Sequence, residues 1–419
     1  MENGKRLLFL GGPNQSVKAV EQAKKMGIYT IVTDKNPNAF AKTIADEALP
    51  YSVTDVDSII SWCKQHPVDG VMNFGVDPAQ KPTIMVCEAL NLPHFGTLKQ
   101  IEYLSNKQAF KELCLECGID VIQSYLEEDI TESFSDYPLF IKPAQNCGSR
   151  GSSVCSNKQE VEQAVLKARN ISTNGKVIIE RYMDGYPDFS VEYYIHDSTP
   201  FLVRANDRYV GCREDQLNRQ CIAGVSPSKY IEMYLEHVHT RVINMLKHIG
   251  VTDGVLFMQG FIDGNTVRFY DPAFRFPGSS YEEHLLSATG VNLMEYAILF
   301  SLGIHKDCVP ALYDAYRLNG KCAISLFFTA RSGVISKCYG IEEVKQIPGV
   351  VSAVLKENVG SVITDSGDVN QRVAEIGLLV EDDKKTIEDS VLTVQSKFKM
   401  YDESGKNMLV SLANPALFR

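Results

Sequence analysis

The stretch VRFYDPAFRFPGSS, residues 267–280, combines a strand pattern with charged side chains at alternate positions. Its first five residues read as a short strand, which follows an apolar run across an Asp-Gly-Asn turn. Such turns join antiparallel strands tightly, so the sequence predicts a β-hairpin over residues 254–272. Side chains two positions apart share one face of a strand, which places Asp271, Ala273 and Arg275 together.

Two interpretations of this face are open. The carboxylate and the guanidinium could form an ion pair on a solvated sheet, or they could be a metal ligand and a phosphate clamp. The first hairpin strand is also part of this region. The alternation in GVLFMQ places Phe257 and Gln259 on one face, an apolar ring beside a polar oxygen.

Length and composition predict a soluble protein with several domains. The chain has 419 residues, 44% of them hydrophobic and 22% charged, which favours two or three domains. A formal net charge of −10 argues against broad binding to nucleic acid or anionic membranes. The 11 cysteines are scattered and odd in number, which favours free thiols in the cytoplasm. The pair Cys114 and Cys117 reads as core thiols rather than as a zinc site.

The first hundred residues predict a parallel α/β domain. KRLLFLGGP reads as a buried strand, SVKAVEQAKKMG as a helix and YTIVTD as the next strand, which is a βαβ unit. Asp34, Asn73 and Asp77 follow strands at the sheet edge where such domains collect ligand contacts. The paired glycines at 11–12 are a weak signal, because the full dinucleotide-binding glycine pattern is missing.

A lysine and a small-residue loop form the next constellation. Lys142 ends the apolar strand LFIK and leads into PAQNCGSRGSSV, a combination suited to holding polyphosphate. Glu180 lies where the strand of VIIERYM ends. Together with the hairpin, these parts favour a nucleotide between two small sheets, with its phosphates toward the basic loop and a metal at the hairpin.

The order of these motifs resembles the ATP-grasp superfamily of ATP-dependent carboxylate–amine ligases over nearly the whole chain. The resemblance implies an α/β fold of three parts. A Rossmann-like domain would span residues 1–98, an ATP-grasp domain 99–305 with a lid at about 122–185, and a small C-terminal α+β subdomain 306–419. The pattern of TLKQIEYLSNKQAFKELCLECG independently predicts one long helix over 97–118 that ends on a glycine.

The resemblance implies a set of ATP-binding residues. SNKQAFKELCLECGI carries the first phosphate-binding lysine, LFIKPAQNCGSRGSSV the second lysine and the closing loop, and VIIERYM the hinge that reads adenine through its main chain. Asp188 falls where the family has a ribose-binding acid, and Phe257 or Met258 would pack on adenine. The implied ATP-binding residues are Lys107, Lys142, Gly148, Ser149, Gly151, Glu180, Arg181, Met183, Asp188, Phe257 and Met258.

The metal positions depart from the family pattern. The family has a glutamate on the first hairpin strand and Glu-x-Asn-x-Arg after the second, whereas this chain has Gln259, then Asp271, Ala273 and Arg275. The arginine, which the resemblance assigns to catalysis, is kept. Gln259 and Asp271 remain as metal ligands for Mg²⁺, with Mn²⁺ as an alternative, but one charge and one ligand side chain are missing.

Two classes of function follow. The chain would be a cytoplasmic ligase that activates a small-molecule carboxylate as an acyl phosphate for attack by an amine, with a homodimer left open. The alternative is an ATP-binding protein of the same fold that has lost phosphoryl transfer. Arg204 and Arg208 could hold a substrate carboxylate or be ordinary strand residues. Glu282 and Glu283 could replace the missing metal charge, or they could be the acidic residues that the helix dipole favours in a first helical turn. His284 could contact substrate, but a surface position is favoured.

Overall fold

The structure, a computed structural model, describes residues 4–144, 151–172, 174–211, 220–278, 281–304, 309–365 and 371–419. The strands are β1 Arg6–Leu10, β2 Tyr29–Thr33, β3 Glu47–Leu49, β4 Gly70–Met72, β5 Ser124–Tyr125, β6 Leu139–Pro143, β7 Ser153–Cys155, β8 Val177–Arg181, β9 Asp188–His196, β10 Thr199–Val210, β11 Cys221–Ser226, β12 Gly254–Asp263, β13 Thr266–Ala273, β14 Lys321–Ala330, β15 Gly333–Tyr339, β16 Val350–Leu355, β17 Val362–Ile363, β18 Arg372–Glu381, β19 Lys399–Asp402 and β20 Leu409–Val410.

The α-helices are α1 Asn14–Lys25, α2 Val56–Gln65, α3 Gln80–Leu90, α4 Leu98–Ser105, α5 Lys107–Glu116, α6 Lys158–Ile171, α7 Ile231–Tyr234, α8 Thr240–His248, α9 Tyr281–Thr289, α10 Leu293–Ser301, α11 Val309–Leu312, α12 Ile341–Lys345 and α13 Lys384–Lys397. Within the described ranges, every helix is too short or too polar to cross a membrane.

The N-terminal part is a parallel sheet in the order β3-β2-β1-β4, as the βαβ pattern predicted. Both faces of β1 are buried: Leu7 and Phe9 join one apolar cluster, and Leu8 and Leu10 join another. Burial on two faces is what helices on both sides of a parallel sheet require. The edge that carries the strand ends is held by Asp34, whose Oδ2 accepts a 2.9 Å hydrogen bond from the Gly12 amide.

The second part is a small antiparallel sheet in the order β5-β8-β6-β7. Helix α6 covers this sheet, and Val165 and Ala168 of the helix pack in one apolar cluster with Ile141 of β6. The sequence region 176–195 contains two strands, as predicted, but β8 belongs to this sheet and β9 to the next. The chain therefore passes from one sheet to the other just after Glu180.

A nine-stranded sheet forms the centre of the molecule, with the order β13-β12-β9-β10-β11-β14-β18-β16 and β20 beside β14. The predicted hairpin is confirmed, because β12 and β13 pair antiparallel across the two-residue turn between Asp263 and Thr266. The C-terminal strands β14, β16 and β18 continue this sheet. A domain boundary at 305/306 therefore remains a proposal that divides one continuous sheet.

The prediction of one helix over 97–118 is wrong, because the chain forms two helices that meet at Asn106. The Asn106 side chain accepts hydrogen bonds from the backbone amides of Gln108 and Ala109, at 3.0 and 3.2 Å. An asparagine in extended geometry that bonds these amides is a helix N-cap. The break makes Lys107 the first residue of α5, at the end of the helix that faces the central hairpin.

We predict that Asn106→Ala will lower the free energy of unfolding by about 1 kcal/mol, because two amides at the start of α5 lose their acceptor. Chemical denaturation followed by circular dichroism measures this change. The neighbouring exposed Gln108→Ala serves as the control, with an expected change within about 0.5 kcal/mol. Equal losses in the two variants would contradict the capping role.

Candidate active site

A β-bulge in the central hairpin determines which side chains line the site. Gln259 pairs with Asp271 and Gly260 pairs with Phe269, so Tyr270 is an extra residue on β13. An extra residue of this kind turns two successive side chains toward the same side. Tyr270 and Asp271 therefore both lie on the face of the sheet that carries Gln259, which we call the cleft face. Phe269 lies on the opposite face, in the core.

At the predicted metal positions, the structure places protein side chains next to each ligand atom. The Lys107 Nζ lies 3.0 Å from the Asp271 Oδ1. The Gln259 Oε1 accepts a 3.1 Å hydrogen bond from the Tyr270 hydroxyl. Ala273, half-buried on the same face, has no donor atom. The described residues include no cluster of three or more His, Cys, Asp or Glu side chains suited to a metal.

Arg275 reaches across to the N-terminal part of the chain. Its Nη2 lies 3.0 Å from the Asp77 Oδ2, and its Nε contacts the other oxygen of the same carboxylate. Gln80 also donates to Asp77, at 3.1 Å. This bidentate pair brings the loop after β4 to the cleft face, as the strand-end position of Asp77 predicted. The pair leaves the arginine 19% exposed.

Glu180 is buried between two lysines, at only 1% exposure. The Lys142 Nζ lies 2.8 Å from the Glu180 Oε2, and Lys111 of α5 contacts the other oxygen. Burial by itself would raise the pKa of the Glu180 carboxyl, but the charges of Lys142 and Lys111 hold this pKa below its usual value. Lys111, which the sequence interpretation missed, also donates to the Ser124 hydroxyl at 2.6 Å.

The segment predicted to read adenine is well packed. The backbone amides of Arg181 and Tyr182 donate to the carbonyl oxygens of Gln123 and Pro138, each at 3.0 Å. The side chain of Arg181 is exposed and that of Met183 is buried. Main-chain contacts with a base would therefore use groups other than these two amides.

The glycine and serine loop is described only at its end. Gly148 and Ser149 lie outside the described residues. Gly151 has φ of +75°, and a Cβ atom there would come within 2.7 Å of the Ile171 side chain. This position therefore favours glycine, because the backbone angle strains other residues and the end of the Ile171 side chain would have to move.

Asp188 lies one row away from Gln259 on the cleft face. The Arg208 Nη1 is 2.7 Å from the Asp188 Oδ1 and 2.8 Å from the Tyr270 hydroxyl oxygen. Tyr270 in turn donates to Gln259, so the Tyr270 hydroxyl links the Arg208 guanidinium to Gln259, the first predicted metal ligand. Burial raises the pKa of the Tyr270 hydroxyl, which keeps it a hydrogen-bond donor.

Phe257 and Met258 lie on opposite faces of β12. Phe257 is half-buried and shares the cleft face with Gln259, whereas Met258 is fully buried in the core beneath the sheet. The structure therefore brings Phe257, and not Met258, to the site.

Side chains that pair in register across the strands form rows on the cleft face: Asp188 lies in the first, Gln259 and Ser190 in the second, and Glu192 in the third. The third row also carries charged residues. Glu192 of β9 pairs in register with Phe257 on one side and Arg204 on the other. Helix α9 covers this row with Tyr281 and Glu282. Burial is the main cause that raises the pKa of both the Glu192 and the Glu282 carboxyl, and the charge of Glu192 adds to the effect on Glu282.

The favoured surface position of His284 is wrong. This residue is fully buried, with its Nε2 3.3 Å from the Ile324 carbonyl oxygen, because α9 packs on β14 and β18. Lys111 had a weak sequence signal, four residues after Lys107 and hence on the same helix face. Tyr270 had none, because strand alternation places it opposite Asp271 and only the bulge reverses this.

The fold is the ATP-grasp fold that the sequence motifs implied. The profile of the carbamoyl-phosphate synthase L chain, ATP-binding domain, matches residues 106–270. The chain is similar to a formate-dependent phosphoribosylglycinamide formyltransferase of Sulfurisphaera tokodaii, with 23% identity over 88% of this chain and 94% of that protein. A carbamoyl phosphate synthase large chain of Thermotoga neapolitana is also 23% identical over 74% of this chain, which spans only 30% of that protein.

Solved structures agree on the architecture. An L-amino acid ligase from Bacillus licheniformis superposes with a TM-score of 0.78 at 18% identity, over 96% of this chain and 100% of that one. The biotin carboxylase domain of the Hydrogenobacter thermophilus 2-oxoglutarate carboxylase, solved with MgADP, ADP and bicarbonate, gives 0.74 at 17% identity, over 96% and 91%. At this identity the likeness concerns the fold.

We predict that Lys142→Met will weaken nucleotide binding at least several-fold, because a charge-assisted contact is worth about 1.5–3 kcal/mol. Isothermal titration with a nonhydrolysable ATP analogue measures the affinity. Lys158→Met is the matched control, because Lys158 pairs with Glu132 at 2.7 Å on the outer helix of the same small sheet. Unchanged affinity in a folded Lys142→Met protein would contradict the placement of ATP.

We also predict that the contribution of Glu192 and Glu282 to stability falls as the pH rises above the ordinary glutamate pKa of 4.5. Above this pH the unfolded chain releases protons that Glu192 and Glu282 retain in the folded protein, until the raised folded-state pKa values are passed. A tenfold difference in proton affinity between the folded and unfolded states corresponds to about 1.4 kcal/mol. In Glu192→Gln, the gain in unfolding free energy over the parent should therefore grow between about pH 5 and about pH 8. Urea denaturation across this range is the measurement, and a constant difference would show that Glu192 ionises normally.

Proposed function

We propose that the protein is an ATP-dependent ligase that joins a small-molecule carboxylate to an amine. The γ-phosphoryl group of ATP passes to the carboxylate, and the amine then attacks the acyl phosphate and releases phosphate. The observation that carries the proposal is the convergence of separate elements on one cleft face. Lys107 from α5, Asp271 and Gln259 from the hairpin, and Arg208 from β10 meet there.

The protein residues in this proposal bind and orient charge. Lys142 and Lys107 neutralise phosphate oxygens, and Arg275 stabilises the charge that develops on the transferred group. Glu180 keeps Lys142 in place, because its buried carboxylate depends on the charges of the two lysines that contact it among the described residues. Asp188 takes the ribose. Catalysis of this kind depends on positioning, which the ion pairs supply before substrates bind.

The donor set at the hairpin fits one magnesium ion held mainly by ATP. Mg²⁺ prefers oxygen ligands and commonly binds one or two carboxylates together with substrate phosphates. Asp271 would supply the carboxylate and Gln259 the amide oxygen. The bound ion would neutralise phosphate charge, and Lys107 would exchange Asp271 for a phosphate oxygen. The biotin carboxylase domain solved with MgADP supports this choice of ion.

The second candidate is an ATP-binding protein without phosphoryl transfer. The observation that favours it is the occupation of both ligand atoms by protein partners, Lys107 on Asp271 and Tyr270 on Gln259. The two candidates differ in one measurable property, the dependence of ATP binding on magnesium. A cytoplasmic location and a homodimeric state are further parts of the proposal, and neither affects this distinction.

For the ligase, we predict that Asp271→Asn lowers turnover about a hundredfold or more, because the one carboxylate at the ion is lost. The double change Gln259→Glu with Ala273→Asn should shift the half-saturating Mg²⁺ concentration downward, because it adds a charge and an oxygen donor on the cleft face. Phosphate release against a panel of carboxylate and amine pairs, with Mg²⁺ and with Mn²⁺, is the measurement.

Asp263→Asn is the control for this prediction, since Asp263 lies on the same hairpin and pairs with Arg268 at 2.6 Å. It should leave turnover within about twofold of the parent, as expected for a partly exposed ion pair. ATP binding that is independent of Mg²⁺ in both the parent and Asp271→Asn would reject the ligase and leave the ATP-binding protein.

A further inference from the structure

Two buried carboxyl groups, Glu192 on the cleft face and Glu282 on the helix above it, lack hydrogen-bond partners for some of their oxygens within the described part of the chain. Glu192 is fully buried, and neither of its carboxylate oxygens has a hydrogen-bond partner among the described residues. Glu282 is 5% exposed, and its Oε1 also has no hydrogen-bond partner among the described residues. Buried polar groups are normally hydrogen-bonded, and a buried carboxylate without donors is costly. These oxygens therefore indicate a group that donates hydrogen bonds and carries positive charge.

The neighbouring cations do not meet this need in full. Arg204 lies beside Glu192 on the next strand and stacks over the Tyr281 ring at 4.4 Å, so one guanidinium faces two carboxyl groups. Lys18 comes close to α9, but it pairs with Glu283 at 2.7 Å. An excess of one negative charge remains when both carboxyl groups ionise.

The position of the pair relates it to the reaction. Along β9, Asp188 at the ribose end is followed on the same face by Ser190, in register with Gln259, and then by Glu192. At about 3.3 Å per residue, Glu192 lies roughly 13 Å beyond Asp188 and past the row that contains Ser190 and Gln259. Phe257 and Ala273, both half-buried, lie beside Glu192 in the same row of the sheet. The pair thus lies where an acceptor, and not ATP, would bind.

We propose that Glu192 and Glu282 bind the ammonium group of the amine substrate. This inference rests on the proposed ligase function and adds the chemical class of one substrate, a primary amine that is cationic when it binds. One proton then passes from the ammonium group to a carboxylate of the pair, which frees the nitrogen lone pair for attack on the acyl phosphate. An ammonium group offers three donors and one charge, which matches the unsatisfied oxygens. A divalent metal fits less well, because the described residues offer no third ligand of the usual kinds and Arg204 would repel it.

The test measures binding to the whole protein with a nonhydrolysable ATP analogue and Mg²⁺ present. The probes are paired compounds that differ only in the amine: glycinamide with glycolamide, and ethanolamine with ethylene glycol. We expect the ammonium members to raise the Tm of the parent in a concentration-dependent way and the hydroxyl members to leave it unchanged. Glu192→Gln and Glu282→Gln should each weaken the response at least tenfold.

Glu283→Gln is the matched control, because it removes a carboxylate from the same helical turn that is already paired with Lys18. Its response should stay within twofold of the parent. The inference is overturned if no ammonium probe shifts the parent, or if the shift survives in the double variant Glu192→Gln with Glu282→Gln. Either result would mean that the two carboxyl groups only share a proton.

The outcome is separable from that of the proposed function. Ammonium binding without phosphate release for any substrate pair would support this site and reject the ligase. Phosphate release with an amine dependence that is unchanged in Glu192→Gln would support the ligase and reject this site. The two single variants guard against a failure to fold, because each alone tests one half of the pair.

Discussion

The buried carboxylate of Glu180 is the interaction on which the nucleotide side of the molecule depends. It lies at the end of β8, and the two lysines that contact it come from α5 and β6, so one charge joins three elements of different sequence origin. A buried carboxylate flanked by two ammonium groups is stable only while all three are present. The arrangement therefore fixes the small antiparallel sheet to the helix before it, and it fixes Lys142 at the cleft.

The cleft face itself was predictable because a strand has a strict period. Asp271, Ala273 and Arg275 follow that rule, and the buried residues between them confirm it. The motif order was also sufficient to place the hairpin, the parallel N-terminal sheet and the superfamily. These features share one property: each follows from a repeated local pattern, which can be recognised without knowing what packs against it.

Most of what the sequence could not supply depends on how one segment pairs with or packs on another. The bulge at Tyr270 shifts the register by one residue, and no feature of the sequence signals it. His284 is buried because α9 packs on β14 and β18, which lie about 40 and 90 residues further along the chain. The sequence offered either Phe257 or Met258 as the residue that packs on adenine, and only the observed pairing of β12 showed which of them lies on the cleft face. The break at Asn106 was visible in principle, because asparagine before a helical turn is a capping signal.

The metal positions that lack one charge and one ligand side chain are interpreted differently once the neighbouring side chains are known. Sequence alone suggests a site that has lost ligands, whereas the structure shows a carboxylate paired with a lysine and an amide held by a tyrosine. An ion that binds there must compete with Lys107. The competition makes affinity for the metal depend on where that lysine can go, and a bound triphosphate is the natural destination for its charge.

The continuity of the central sheet has a consequence for how the chain reaches its native state. Strand β11 pairs with β14, whose residues come about a hundred positions later. During synthesis the outer edge of β11 remains open until β14 has left the ribosome, and open strand edges invite pairing with other chains. Because this pairing joins distant segments, we expect it to form late and to slow folding. Truncations that remove β14 would leave a sheet with an exposed edge and not a smaller working protein.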